Sequence, residues 1–180
     1  MNRITLLFCV GVLMTCESMA QIRHIKGIKS VEAGYGMNSL GPMYYAAFVP
    51  YVSSRTYLKF SPFHATGQQS EIQFTSMGVE ASLGINLLKA GEFLYVNARP
   101  GLVVSADRLS PGIQVFQSDG SVRTETFQTI KIGGFAGVET EIFITDKLVF
   151  ILGWNQRFLL NQDKFGRNRH IGYAGIRFNL

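Results

Sequence analysis

Apolar and polar residues alternate along most of this chain, and that period of two predicts strands with two unlike faces. Between Ile130 and Ile144, one set of alternate positions holds Ile130, Ile132, Gly134, Ala136, Val138, Thr140, Ile142 and Ile144. The other set holds Lys131, Gly133, Phe135, Gly137, Glu139, Glu141 and Phe143. The same split separates Met77, Val79, Ala81, Leu83, Ile85 and Leu87 from Gly78, Glu80, Ser82, Gly84 and Asn86. It returns at the end of the chain, where Ala174, Ile176, Phe178 and Leu180 alternate with Tyr173, Gly175, Arg177 and Asn179. Beyond the opening segment, Leu148 to Leu152 is a fully aliphatic and aromatic run, and no apolar run is longer than Met43 to Val49. That falls far short of the roughly 18 residues a membrane helix needs.

The pattern predicts eight strands, near residues 28–37, 43–52, 55–64, 71–88, 93–105, 125–144, 147–160 and 169–180. Pro50, Pro62 and Pro100 fall inside three of these segments, where each deletes a ladder donor and weakens the second, third and fifth strands. The connections alternate in length. Ser53-Ser54, residues 89–92 and Thr145-Asp146 are short, whereas residues 65–70, 106–124 and 161–168 are longer. Membrane barrels pair short periplasmic turns with long extracellular loops, and an even strand count puts both termini on the periplasmic side. The first outer connection, residues 38–42, is short for this scheme. The expected fold is all-β, an eight-stranded antiparallel up-and-down transmembrane β-barrel.

Composition strengthens that expectation. Hydrophobic residues make up 47% and charged residues 16%, against about 25% charged in an ordinary soluble domain. The first residues read as a removable leader. Asn2 and Arg3 open it, Ile4 to Met14 is apolar, and Ser18-Met19-Ala20 places small residues for cleavage before Gln21. Residues 1–20 are thus a signal peptide and 21–180 a single barrel domain. A second reading stands beside it: Leu13-Met14-Thr15-Cys16 resembles a lipoprotein box, which makes Cys16 the lipidated first residue. Cys9 and Cys16 are the two cysteines, so ordinary cleavage leaves a mature chain with no disulfide and no thiolate metal site. The net charge of +5 comes from scattered residues with no run of Lys and Arg. That pattern gives no nucleic-acid footprint, so no direct nucleic-acid partner is expected.

Charges on the polar faces are expected to fill the lumen: Glu32, Glu80, Glu139 and Glu141 with Lys59, Arg99, Lys131, Arg157 and Arg177. Opposite charges can pair there, and inward glycines make room for long side chains. The alternative places these charges on the surface of a soluble sandwich. Tyr44, Tyr45, Tyr51, Phe93, Tyr95, Trp154 and Phe158 lie near strand ends, as interfacial girdles do. His64 and His170, with Ser61 and Ser70 near His64, raise the possibility of lipid-modifying chemistry at the outer rim. No nucleophile, base and orienting group are visible together, so no catalytic residue is assigned. No His pair has ligand spacing, and no glycine-rich loop opens a helix, so neither metal nor cofactor is expected.

The closing Tyr173-Ala174-Gly175-Ile176-Arg177-Phe178-Asn179-Leu180 resembles the signal read by the outer-membrane barrel assembly machinery, with Gly175, Phe178 and Leu180 at its key positions. A broader likeness covers most of the chain beyond the leader. Gly137-Val138-Glu139-Thr140-Glu141-Ile142-Phe143-Ile144-Thr145-Asp146-Lys147-Leu148-Val149 resembles the penultimate hairpin of the TraO proteins of Bacteroidetes conjugative transposons. Arg157-Phe158-Leu159-Leu160, Lys164-Phe165 and the closing Gly172 to Phe178 follow in that family's order. Lys26-Gly27-Ile28 and the stretch from Phe74 to Leu88 are also similar, whereas residues 106–126 carry no such likeness. The resemblance implies an outer-membrane component of a conjugative DNA-transfer apparatus in a Gram-negative bacterium. Its partners would be outer-membrane lipid, other conjugal transfer proteins and, during biogenesis, the assembly machinery. Residues 106–124 outside and residues 21–27 in the periplasm are the expected contact surfaces. Two other roles stay open: a small surface barrel for adhesion or envelope stability, and a lipid-modifying barrel.

Phe178→Ala and deletion of Leu180 should each lower the amount of folded, membrane-inserted protein, measured by immunoblotting of membrane fractions. Unchanged levels in both variants would remove the proposed sorting role of the last strand.

Overall fold

The computed structural model describes residues 26–39, 41–69, 72–110, 113–116, 122–125, 128–160 and 168–180. The predicted leader, with Cys9 and Cys16, lies outside them, as does Ser70. The described residues form strands and turns. The strands are β1 (Lys29–Asn38), β2 (Gly41–Pro50), β3 (Thr56–Gln69), β4 (Ile72–Ala90), β5 (Leu94–Ala98), β6 (Gly101–Ser110), β7 (Ile113–Phe116), β8 (Val122–Glu125), β9 (Gln128–Phe143), β10 (Leu148–Leu159) and β11 (Asn168–Asn179).

Each barrel strand pairs antiparallel with its neighbour, and β1 closes the ring on β11 from Ser30↔Asn179 to Asn38↔Ile171. β5 and β6 are two parts of one stave, since both pair with β4 on one side and β9 on the other. Arg99 exchanges backbone hydrogen bonds with Gly137 at 2.8 and 3.1 Å, and the Pro100 carbonyl accepts from Leu83 N–H at 3.0 Å. The stave therefore runs unbroken through the proline, whose missing N–H ends only the regular ladder. Eight staves form an up-and-down barrel, and both described chain ends meet at one rim, where Leu180 N–H donates to Lys29 O at 2.8 Å.

Burial follows the period of two around the ring. Leu87, Leu102 and Ile130 are 65%, 68% and 61% exposed, while Lys131, Glu139, Glu141 and Arg177 are fully buried at 0%. The molecule is inside out relative to a soluble domain, with its charges in the lumen and its Ile, Leu, Val and Phe on the outer wall. Such an exterior fits hydrocarbon, and a closed ring leaves no unpaired strand edge inside a bilayer.

Several sequence expectations are corrected in detail. The fifth strand extends past residue 105 to Ser110, and the expected loop of residues 106–124 contains the separate hairpin β7–β8. Glu125 belongs to β8 rather than to the sixth barrel strand. β3 runs on to Gln69, because its pairing with β4 continues past the end of β2 to Gln69↔Ile72, with β6 on the other side of β4 up to Gln73↔Ser110. The aromatic girdle is also divided. Tyr44, Trp154 and Phe158 face outward, but Tyr45, Tyr51 and Tyr95 are buried inside. Tyr44 and Tyr45 are neighbours on one strand, so the pleat sends them to opposite faces. Pro62 faces outward in β3, and the regular β2–β3 pairing lapses between Tyr45↔Phe63 and Phe48↔Phe60, where that proline has no hydrogen to donate.

Opposite faces should respond differently to substitution. Val138→Lys, or Leu83→Lys, should impair insertion into lipid vesicles, at a cost of about 2–4 kcal/mol near mid-membrane. Gly137→Ala should still insert but lose about 1–3 kcal/mol in urea unfolding, because its Cβ would fall on the Trp154 carbonyl and the Asn155 side chain. Indistinguishable behaviour of the outer and inner variants would contradict the assignment of faces.

Candidate functional site

Among the described residues, the lumen is where the fold gathers chemically active side chains, and Glu139 of β9 stands at its centre. Its Oε2 accepts from Lys59 Nζ at 2.7 Å and Arg99 Nη1 at 3.1 Å, and its Oε1 from Arg177 Nη2 at 2.6 Å. The Tyr57 and Tyr173 hydroxyls donate to the same carboxylate at 2.7 and 2.8 Å. Glu32, the cross-strand partner of Arg177, accepts from Lys59 at 2.6 Å, Arg177 at 2.8 Å and the Tyr45 hydroxyl at 2.8 Å. Glu141 takes the remaining Arg177 nitrogen at 2.6 Å. Three carboxylates thus face three cations, and this central group is neutral. Isolated, any of these charges would cost several kcal/mol to bury, whereas a fully hydrogen-bonded group offsets much of that penalty.

Two smaller groups lie further along the axis. Arg157 meets Glu80 at 2.7 Å and covers the Phe63 ring at 4.2 Å. Asp107 receives Lys131 at 2.9 Å and Arg169 at 2.7 Å, with Arg169 5.2 Å from the centre of the Phe74 ring. Arg99 lies 4.0 Å from Glu80 and so links the central group to the Arg157 pair, and aromatic rings line the cations: Lys59 Nζ lies 5.3 Å from the ring centres of both Tyr45 and Tyr173. Glycines admit these rings. A Cβ on Gly84 would strike Tyr57, one on Gly153 would strike Tyr173, and one on Gly175 would strike Tyr45. The inward glycines therefore make room mainly for tyrosines, not for the charged chains themselves.

No family model and no curated protein matches the sequence. A major outer membrane protein from Thermus thermophilus superposes with a TM-score of 0.60 at 10% identity, covering 85% of this chain and 99% of that one. The attachment invasion locus protein Ail of Yersinia pestis gives 0.58 at 10% identity, covering 87% and 100%. Neisserial surface protein A gives 0.58 at 13% identity, covering 85% and 96%. The fold is that of the small outer-membrane β-barrels. At these identities the likeness concerns the fold alone.

All nine charges assigned to the lumen from sequence, namely Glu32, Lys59, Glu80, Arg99, Lys131, Glu139, Glu141, Arg157 and Arg177, are buried inside the barrel. All but Lys131 belong to the Glu139 group or the adjoining Glu80 pair, and Lys131 joins Asp107. Asp107 and Arg169 are further lumen residues that the sequence reading did not assign. Arg169 shares the parity of Ile171, Tyr173 and Arg177, so the alternation carried the signal. Asp107 was hidden by placing the end of its strand too early. Of the sorting-signal residues, Gly175 faces the lumen, whereas Phe178 and Leu180 lie on the outer wall. Ser61 points into the barrel and is buried, but His64 lies on the opposite face of β3, so the two side chains cannot form a nucleophile–base pair. His170 stacks on Trp154 outside, with ring centres 5.8 Å apart. Beside Ser61, Glu80, Arg99 and Asn155 a cavity of about 10 Å³ remains, room for roughly one water. The cross-barrel bonds at Glu139 shut the lumen at that level.

Glu139→Gln should lower the urea stability of the vesicle-inserted barrel by about 3–5 kcal/mol, the cost of breaking one partner out of a buried charge group. A loss below roughly 1 kcal/mol, in the range of an exposed ion pair, would remove Glu139 from its central place.

Proposed function

We propose that this chain is an outer-membrane barrel serving a conjugative DNA-transfer apparatus as a structural component without catalysis. The observation that carries the reading is the resemblance to the TraO family. Its similar segments include Glu139, Glu141, Arg157 and Arg177 of the lumen, whereas Glu32, Lys59, Arg99 and Lys131 lie outside them. A lumen crossed by Lys59, Arg99 and Arg177 on Glu139 suits an anchor and not a conduit. An eight-stranded barrel is in any case filled by its own side chains, so DNA would pass elsewhere in the assembly. The outer hairpin β7–β8 and the N-terminal segment of residues 21–27 are the parts available to other transfer proteins.

A second reading, a small surface barrel for adhesion or envelope stability, draws on the likeness to Ail, whose name records attachment and invasion. Lipid-modifying chemistry has no comparable support, given the opposed faces of Ser61 and His64.

Deleting the gene in a donor strain and counting transconjugants separates the two. The proposed function predicts that transfer collapses while growth and membrane integrity hold, and that the wild-type gene restores it. Undiminished transfer together with weakened adhesion or detergent resistance would favour the second reading.

A further inference from the structure

Apart from the β7–β8 hairpin, the Asp, Glu, Lys and Arg side chains of the described residues that lie outside the lumen fall at the barrel's two ends. Lys26 precedes β1, Lys29 opens it, Arg55 lies in the turn before β3, Lys89 nearly closes β4, and Lys147 lies in the turn before β10. All five are exposed. They share the rim where the chain ends meet, since Leu180 N–H donates to Lys29 O and Asn179 N–H to Lys147 O, each at 2.8 Å. Glu92 and Asp146 are the carboxylates of the same rim, so positive charge predominates. Along the outer wall beyond it, no Asp, Glu, Lys or Arg side chain faces outward among the described residues until Arg108, near the far end of β6.

The placement of these cations says what they face. They sit on β1, between β2 and β3, on β4, and between β9 and β10, which distributes them around the circumference. A soluble partner approaches from one direction and is met by a patch. A ring at the lower edge of an apolar wall instead meets the medium that surrounds the barrel. Lys89 is the cross-strand partner of the inward Tyr95, with its Nζ 5.6 Å from that ring's centre at the mouth of the lumen, whereas Val31 beside Lys29, and Ile144 and Leu148 beside Lys147, are outward apolar neighbours. Lysine and arginine stems lie along such surface and carry their charge to the interface. Two of the cations are displayed from pinned turns. Arg55 N–H donates to Ser53 Oγ at 3.1 Å, and Lys147 N–H and Leu148 N–H donate to Thr145 Oγ1 at 3.3 and 3.0 Å.

We propose that this rim binds the phosphate headgroups of anionic phospholipids in the leaflet that the chain ends face. The inference rests on the membrane-barrel part of the proposed function and not on its role in conjugation. Headgroup binding would set the depth of the barrel and bias its orientation, because the described wall ends in a ring of cations on this side.

The test reconstitutes the chain in phosphatidylcholine vesicles containing a minor fraction of phosphatidylglycerol. A shift in gel mobility between unheated and boiled samples reports insertion. Spin-labelled phosphatidylglycerol and phosphatidylcholine are then compared for residence at the protein surface. A cation near an anionic surface contributes enough to favour phosphatidylglycerol about fivefold at roughly 10 mM salt, and the preference should vanish near 1 M, where screening acts within about 3 Å. The variant Lys29→Gln/Arg55→Gln/Lys89→Gln/Lys147→Gln should insert normally and lose the preference, with Lys29→Gln/Lys147→Gln intermediate. An inserted wild type with no preference would overturn the inference and leave the barrel standing. So would a preference that persists in the fourfold variant or at high salt. A chain that does not insert at all would overturn the membrane reading, and this inference with it.

Discussion

The Glu139 carboxylate accepts from cations on three other staves, Lys59 of β3, Arg99 of the β5–β6 stave and Arg177 of β11. Much of the structure depends on that arrangement. The hydrogen-bonded ladder joins each stave only to its neighbours, so contacts across the lumen must come from side chains. With Leu, Ile and Val on the outer wall, those side chains include charged ones, and buried charges are tolerable only when paired. Without Glu139, three cations would share Glu32, Glu141 and Glu80. The tyrosines complete the solution, since Tyr45, Tyr57 and Tyr173 each present a ring to a cation and a hydroxyl to a carboxylate. Close glycines such as Gly84 and Gly153 give the rings the space they need.

How much of this was legible in the sequence follows from what a period of two encodes. Alternation assigns each residue to a face, so Glu139 and Val138 could be separated without knowing any neighbour. It also placed Arg177 inside and Phe178 outside. Alternation does not say which strand lies opposite which across the lumen, so the convergence of Lys59, Arg99 and Arg177 on one carboxylate was not readable. It fails as well where a strand is thought to end, which is why Asp107 went unassigned beyond the expected limit at residue 105. The tyrosines depart from expectation for another reason. Clustering near strand ends predicts a girdle, but clustering ignores the pleat that sends Tyr44 out and Tyr45 in.

A lumen filled in this way narrows what the barrel can do. The bonds at Glu139 cross the lumen, and beside Ser61, Glu80, Arg99 and Asn155 a space of only about 10 Å³ remains. The membrane is then part of the working structure, because the apolar wall is stable only against lipid.

The central claim, that the uncharged wall faces hydrocarbon, has a built-in probe. Trp154 is the chain's one tryptophan, and it lies on the outer wall with 49% of its surface exposed. In vesicles of brominated phosphatidylcholine, its fluorescence should be blue-shifted and strongly quenched relative to ordinary vesicles. Emission at the wavelength of water-exposed tryptophan, unchanged by bromination, would contradict the account and return the chain to a soluble β-fold.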